Sequence, residues 1–221
     1  AKAVTNGSHT LALRANNTIW AYGLNDKGQL GIGQYEDNGV WKDYYNTDPD
    51  GVDIGVLGSD DAVQVKTFEL NADGTLGNQT SYEVKFADVA AGMDHSMALD
   101  VNGNIWITGS NAYGQLGIES VKGYINGFVK LEILDKDGEP IRFAAVSAGD
   151  RFSLALAFDG TVYAWGRNDK GQLGLDSGLA RFRHPTQVTT MDESVVDHSE
   201  QDTLFLSGGA DHLITNRKSV M

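Results

Sequence analysis

Three stretches of this chain align without a gap, and nothing else in it limits the fold as much. They read NGSHTLALRANNTIWAYGLNDKGQLGI, GMDHSMALDVNGNIWITGSNAYGQLGI and GDRFSLALAFDGTVYAWGRNDKGQLGL. With His9, His95 and Phe152 as origins, Ala12, Ala98 and Ala155 coincide, as do Leu13, Leu99 and Leu156. Gly23, Gly109 and Gly166 coincide further on, followed by Asn25, Asn111 and Asn168. The block Gly28-Gln29-Leu30-Gly31 recurs at 114–117 and 171–174, and a fourth copy opens at Gly209-Ala-Asp-His212. Later origins lie 57 and 60 residues apart, but the first two are 86 apart, so the first gap holds an insertion of roughly 30 residues. The chain therefore reads as one repeat array over 1–221. Its motifs fall near 3–33, 89–119, 146–176 and 206–221, with an insertion at 34–86 within or between units.

Each copy also declares its local structure. Leu-Ala-Leu or Met-Ala-Leu alternates large and small, as a buried strand does. Asn16-Asn17, Asn102-Gly103 and Asp159-Gly160 then share one offset, and these residues tolerate the positive φ of a tight hairpin turn. A β-branched and aromatic return strand follows, and the glycine after it ends the strand. The unit is a strand hairpin with a glycine-rich crossover. One such unit cannot bury both faces, so the copies must stack radially or linearly.

The pattern resembles the regulator of chromosome condensation repeat, of the type found in bacterial surface or viral proteins. The residues that carry it are the Gly-x-x-His-Ser-x-Ala-Leu run, the Gly-x-Asn turn and the fixed Gly-Gln-Leu-Gly block. The resemblance implies an all-β chain folded as a β-propeller, seven-bladed in the family with four-stranded blades. At one blade per repeat, 221 residues supply about three and a half blades, too few for the 4–8 of a closed ring. A partial propeller belonging to a longer chain or assembly is expected. Departures are visible: Asn6-Gly7 shifts the first glycine, Phe152 replaces histidine, and His212-Leu-Ile-Thr degrades the motif.

No residue pattern points to chemistry. Neither G-x-S-x-G nor H-E-x-x-H occurs, and cysteine is absent. The histidines at the repeat offset sit in separate units, so buried imidazoles bonded to backbone are expected rather than a shared metal. With no cofactor implied, the chain is expected not to be an enzyme. Acidic residues number 30 against 17 basic ones, a net charge of −13, which repels phosphate backbones and argues against nucleic acid as a partner. No apolar run is long enough for direct membrane insertion.

Two local features stand out. Asn46, Asp48, Asp50 and Asp53 place oxygens at alternate positions around Gly51, like the opening of a calcium loop. Leu57 stands where the bidentate glutamate belongs, so any calcium would bind weakly. The insertion also concentrates Trp41, Tyr44 and Tyr45, rigid rings beside polar residues, a mixture suited to a protein or glycan partner. The resulting expectation is a non-catalytic binding or adhesion module. An extracellular, cell-surface or virion location is expected with it, since the absence of cysteine suits an exported protein. The alternative is an intracellular regulator of a small GTPase, because the family's best-known activity is guanine-nucleotide exchange. The Gly-Trp-Arg-His-Thr signature of the family's plant ultraviolet-B photoreceptor is absent, Trp165-Gly166-Arg167-Asn168 being nearest.

Overall fold

The computed structural model describes residues 1–189, apart from 7, 38–39, 44–61, 122 and 176–177, and the strands at 203–208 and 213–218. For 34–43 and the last two strands only the backbone path is described. Every regular element among these residues is a β-strand.

The first sheet runs β1 (Lys2–Asn6), β2 (His9–Leu13) and β3 (Ile19–Gly23). A separate hairpin, β4 (Gln34–Asp37) and β5 (Val40–Asp43), comes next, and β6 (Val63–Gln64) then closes the sheet as its fourth strand. Two further strands, β7 (Thr67–Leu70) and β8 (Leu76–Gln79), precede the second copy, β9 (Phe86–Ala91), β10 (His95–Asp100), β11 (Ile105–Ser110) and β12 (Tyr124–Leu131). The third is β13 (Phe143–Ala148), β14 (Phe152–Ala157), β15 (Val162–Arg167) and β16 (Arg181–Gln187), and β17 (Thr203–Gly208) with β18 (Leu213–Lys218) opens a fourth.

Each copy is thus an antiparallel meander, a propeller blade, and the expected all-β partial propeller is what forms. Leu13, Leu99 and Leu156 are buried and hold one register position, opposite Ile19, Ile105 and Val162. The hairpin turns take the expected conformation, with φ of +66° at Asn17, +78° at Gly103 and +88° at Gly160. The second sheet departs from four strands. Its outer strand β12 pairs in parallel with β7, so the β7–β8 hairpin adds two strands to that edge. Of the 34–86 segment, then, Val63–Gln64 belongs to the first sheet and 67–79 to the second.

The core lies between blades. Leu11, Leu13, Ile19 and Ala21 of the first sheet pack on Phe86, Val89, Ala98 and Trp106 of the second. The other face of the second sheet, with Met97, Leu99, Ile105 and Ile107, packs on Val146, Ala148, Ala155 and Trp165 of the third. Period-two alternation gives each sheet two distinct faces, and both are apolar because a blade lies on either side.

Candidate functional site at the turn rim

The glycine that ends each return strand lets the chain cross back over its own hairpin. Gly23, Gly109 and Gly166 have φ of +106°, +106° and +101°. A Cβ on Gly109 would lie 2.5 Å from the Cα of His95 and 2.6 Å from the Asp94 carbonyl oxygen. Two residues later an asparagine organises the turn. The Oδ1 of Asn25, Asn111 and Asn168 accepts from the backbone N–H of Leu30, Leu116 and Leu173, at 3.0 Å in each copy. The glutamine of the glycine block accepts in turn from the N–H of Lys27, Tyr113 and Lys170, at 2.8, 2.8 and 2.9 Å. Asn111 also donates from Nδ2 to the carbonyls of Ile118 and Val121. Asn111→Ala would leave the Leu116 N–H and the Val121 carbonyl without partners in a buried turn and strip the Ile118 carbonyl of one of its two donors. It is expected to destabilise the fold by roughly 2–4 kcal/mol, read as a lower urea midpoint at unchanged m-value. A loss below about 1 kcal/mol would mean water replaces the amide.

These turns seat on the following blade through a polar relay. His9 Nε2 lies 2.8 Å from Ser96 Oγ, whose hydroxyl donates to the Gln29 carbonyl at 2.6 Å. His95 Nε2 lies 3.0 Å from Ser153 Oγ, which donates to the Gln115 carbonyl at 2.7 Å. Each serine gives its only proton to the carbonyl, so each imidazole must donate from Nε2 and is the neutral Nε2–H tautomer. Burial holds His9 near pKa 4; burial, and next the neighbouring His9, holds His95 near 3. The imidazoles are buried as expected, and each bonds the serine of the next blade. No group of metal-ligating side chains occurs among the described residues.

With the repeated offsets occupied in this way, the offsets that differ between copies supply the rim. Ser8, Asp94 and Arg151 share one such offset; Lys27, Tyr113 and Lys170 another; Leu24, Ser110 and Arg167 a third. The Tyr113 ring stacks beneath two guanidinium groups, Arg151 at 5.1 Å and Arg167 at 5.7 Å. Arg151 Nε has Asp94 Oδ2 only at 3.8 Å, whereas Arg167 pairs with Asp169 at 2.6 Å. Burial raises the Asp94 pKa against the opposing hydrogen bond from Gln115 and the charge of Arg151. The hydrogen bond from Arg167 lowers that of Asp169. A partly exposed cationic cluster on an aromatic base is a ready seat for a carboxylate.

Reading the constant positions missed Arg151, Tyr113 and Arg167, which come from three different turns. Trp41 falls in β5, whose side chains are not described. Tyr44, Tyr45, Asn46, Asp48, Asp50 and Asp53 lie outside the described residues.

Comparison with known proteins bears on the same repeats. The sequence model described as Regulator of chromosome condensation (RCC1) repeat matches residues 2–29, 86–115 and 143–172, and a second model of that description matches 159–199. The matched segments take in just over half of the chain. The ultraviolet-B receptor UVR8 of Arabidopsis thaliana is 27% identical over 202 residues, covering 83% of this chain and 44% of the receptor. The human X-linked retinitis pigmentosa GTPase regulator is 28% identical over 181 residues, covering 82% of this chain and 14% of its own length. Among solved structures, Prp20p of Saccharomyces cerevisiae superposes on all of this chain with a TM-score of 0.68 at 18% identity, the match taking in 44% of Prp20p. The chain thus spans less than half the length of each. All three come from eukaryotes and give no support to a bacterial or viral type. They also correct the expected extracellular, cell-surface or virion location: Prp20p is characterised by its binding to Gsp1p and histones, and histones are proteins of the cell interior. On the repeats matched and the propeller they build, this chain belongs to the regulator of chromosome condensation (RCC1) repeat family.

Proposed function

We propose that this chain is a non-catalytic protein-binding module of an intracellular regulatory protein. One observation carries the reading. Side chains at constant offsets are consumed in holding turns and joining blades, while the variable offsets converge on one rim as Tyr113, Arg151 and Arg167. Repeat proteins that bind other proteins divide labour in this way, with a common frame and a variable face. The partner contact is an acidic segment whose carboxylate meets the stacked guanidinium groups. The insertion supplies a second contact through Trp41, Tyr44 and Tyr45, since it leaves the first copy directly after its turn, at Gly33. Turnover in a broad substrate screen, lost on changing one Asp, Glu or His, would overturn the non-catalytic assignment.

A small GTPase is the partner class that the relatives favour, one being named a GTPase regulator and another bound to Gsp1p. Immobilised Gsp1p, nucleotide-free and GDP-bound, provides the probe. Binding is expected to weaken at least ~10-fold in the Arg151→Glu, Arg167→Glu double variant, as for loss of a charged hot spot. Replacing residues 35–60 by a Gly-Ser linker tests the insertion while sparing β6 to β8. Failure of the parent chain to bind either form of Gsp1p sinks the GTPase reading, and binding indifferent to both changes sinks the two contacts.

A further inference from the structure

The far ends of the same strands carry a surface of the opposite character. Arg151 precedes β14 and Phe158 follows it, so a strand of six residues, about 20 Å long, separates the arginine cluster from the other rim. That rim is made of the hairpin turns, and apolar side chains stand on it: Phe158 is 71% exposed, Val101 55% and Leu134 52%. None of the three belongs to the packed core. Val101 and Phe158 share one offset, just before the turn residues, where the first copy has Ala15. The Phe158 ring leans on the turn of the blade before it, since a Cβ on Gly103 would lie 3.1 Å from its Cε2. Its backbone is fixed there too, the Phe158 N–H donating to the Arg142 carbonyl at 3.1 Å and the Phe143 N–H to the Gly103 carbonyl at 2.9 Å. The ring is therefore held in place with most of its surface in water.

Carboxylates are arranged about these side chains. The connection from β12 to β13 folds back on itself, with Leu134 bridged to Pro140, and exposes Asp135, Asp137 and Glu139 at its tip. Asp135 Oδ1 accepts from the N–H of Asp137 and of Glu139, both at 2.9 Å, and Asp159 Oδ1 accepts from that of Thr161 at 2.9 Å. Each turn thus fixes a carboxylate through one oxygen, and no described residue takes the other. Burial, and then the charges of Asp159 and Asp135, raises the Tyr163 pKa, so two turns of different origin bring their charge to one phenol. The nearby cations are already engaged: Lys136 pairs with Asp137 at 3.3 Å, and Arg142 bonds the Asn104 side chain. Lone exposed apolar residues are ordinary surface, but a rigid phenyl ring bordered by fixed, unneutralised carboxylates has the make-up of a contact site.

We propose that this hairpin-turn rim is a second docking surface, which takes a basic segment of a partner protein. One apolar side chain of that segment seats on Phe158 beside Gly103, and its lysines or arginines lie against Asp135, Asp137, Glu139 and Asp159. The apolar anchor supplies the affinity, and the carboxylates supply orientation and exclude acidic competitors. Nucleic acid is repelled by the same charge. The surface is independent of the arginine rim and stands whether or not that rim holds an acidic segment.

The test selects a phage-displayed library of random peptides on the immobilised full chain, after depletion on its Phe158→Ser variant. Enriched peptides are expected to carry lysine or arginine on both sides of one leucine, methionine or aromatic residue. As free fluorescent peptides they should bind Phe158→Ser at least ~10-fold more weakly than the parent. A comparable loss is expected in the Asp135→Asn, Asp159→Asn double variant, whose amide oxygens keep the turn hydrogen bonds. Raising salt from about 0.1 to about 1 M, which shortens the screening length from about 10 to about 3 Å, should weaken the parent more than the double variant. The Arg151→Glu, Arg167→Glu variant should bind these peptides as the parent does, which separates the two rims. Because the altered side chains are exposed, urea midpoints are expected to match the parent's. No enrichment over the depleted background, enriched peptides without basic residues, or binding indifferent to the two asparagine changes would overturn the proposal. So would light scattering showing that the parent is a dimer which Phe158→Ser dissociates.

Discussion

Gly109→Ala is expected to cost on the order of 4 kcal/mol, enough to unfold a marginally stable partial propeller. The left-handed conformation at φ +106° costs an alanine about 1–2 kcal/mol. The added Cβ then meets backbone, the Cα of His95 and the carbonyl of Asp94, and neither can rotate aside as a side chain would. Overpacking of that kind adds about 1–3 kcal/mol. Gly138 is the control. Its φ is +86° and a Cβ there meets nothing within 4 Å, so Gly138→Ala should cost only the conformational part, about 1–2 kcal/mol. Urea unfolding of the two variants separates the contributions, and equal losses would show that the close approach to the hairpin carries no energy.

Acid is expected to weaken the fold through the two blade junctions well before the carboxylates titrate. His9 and His95 are held neutral, with pKa values near 4 and 3 against an unfolded value of 6.5. Between pH 6.5 and 4 the unfolded chain therefore binds protons that the folded chain refuses. The stability these groups contribute is complete above pH 6.5 and declines as pH falls toward their folded values. Each histidine costs about 1.4 kcal/mol per pH unit in that window, so together they remove about 4 kcal/mol by pH 5. Hydrogen bonds from Trp106 and the neighbouring asparagines outweigh burial and lower the Asp100 pKa, so its contribution fades only below the ordinary carboxylate range. Asp94, raised by burial, acts in the opposite sense there. Glutamine at either position keeps a donor toward the serine but cannot titrate. His9→Gln and His95→Gln should each remove about half of the slope between pH 7.5 and 5, measured by urea midpoints. A double variant with the full slope would place the acid sensitivity elsewhere.

The strands, their turns and the propeller could be read from the residues because each blade is built from local sequence. Leu-Ala-Leu, the Asn17, Gly103 and Gly160 turns and the glycine blocks recur at one offset, and each acts within about thirty residues of itself. Blade stacking could be anticipated only in outline. That His9 bonds Ser96 and not its own backbone depends on a neighbour 87 residues away, and no spacing within one repeat reports it. The addition of β7 and β8 to the second sheet is of the same kind, since the parallel pairing of Thr67 with Phe128 joins segments that share no pattern. The rim cluster lay furthest from view. Tyr113, Arg151 and Arg167 stand at three offsets where the copies disagree, and a repeat-based reading weighs positions by their agreement. Stacking the third blade on the second brings those rings and charges within 6 Å, so the sequence by itself determined the frame while tertiary packing decided what the frame displays.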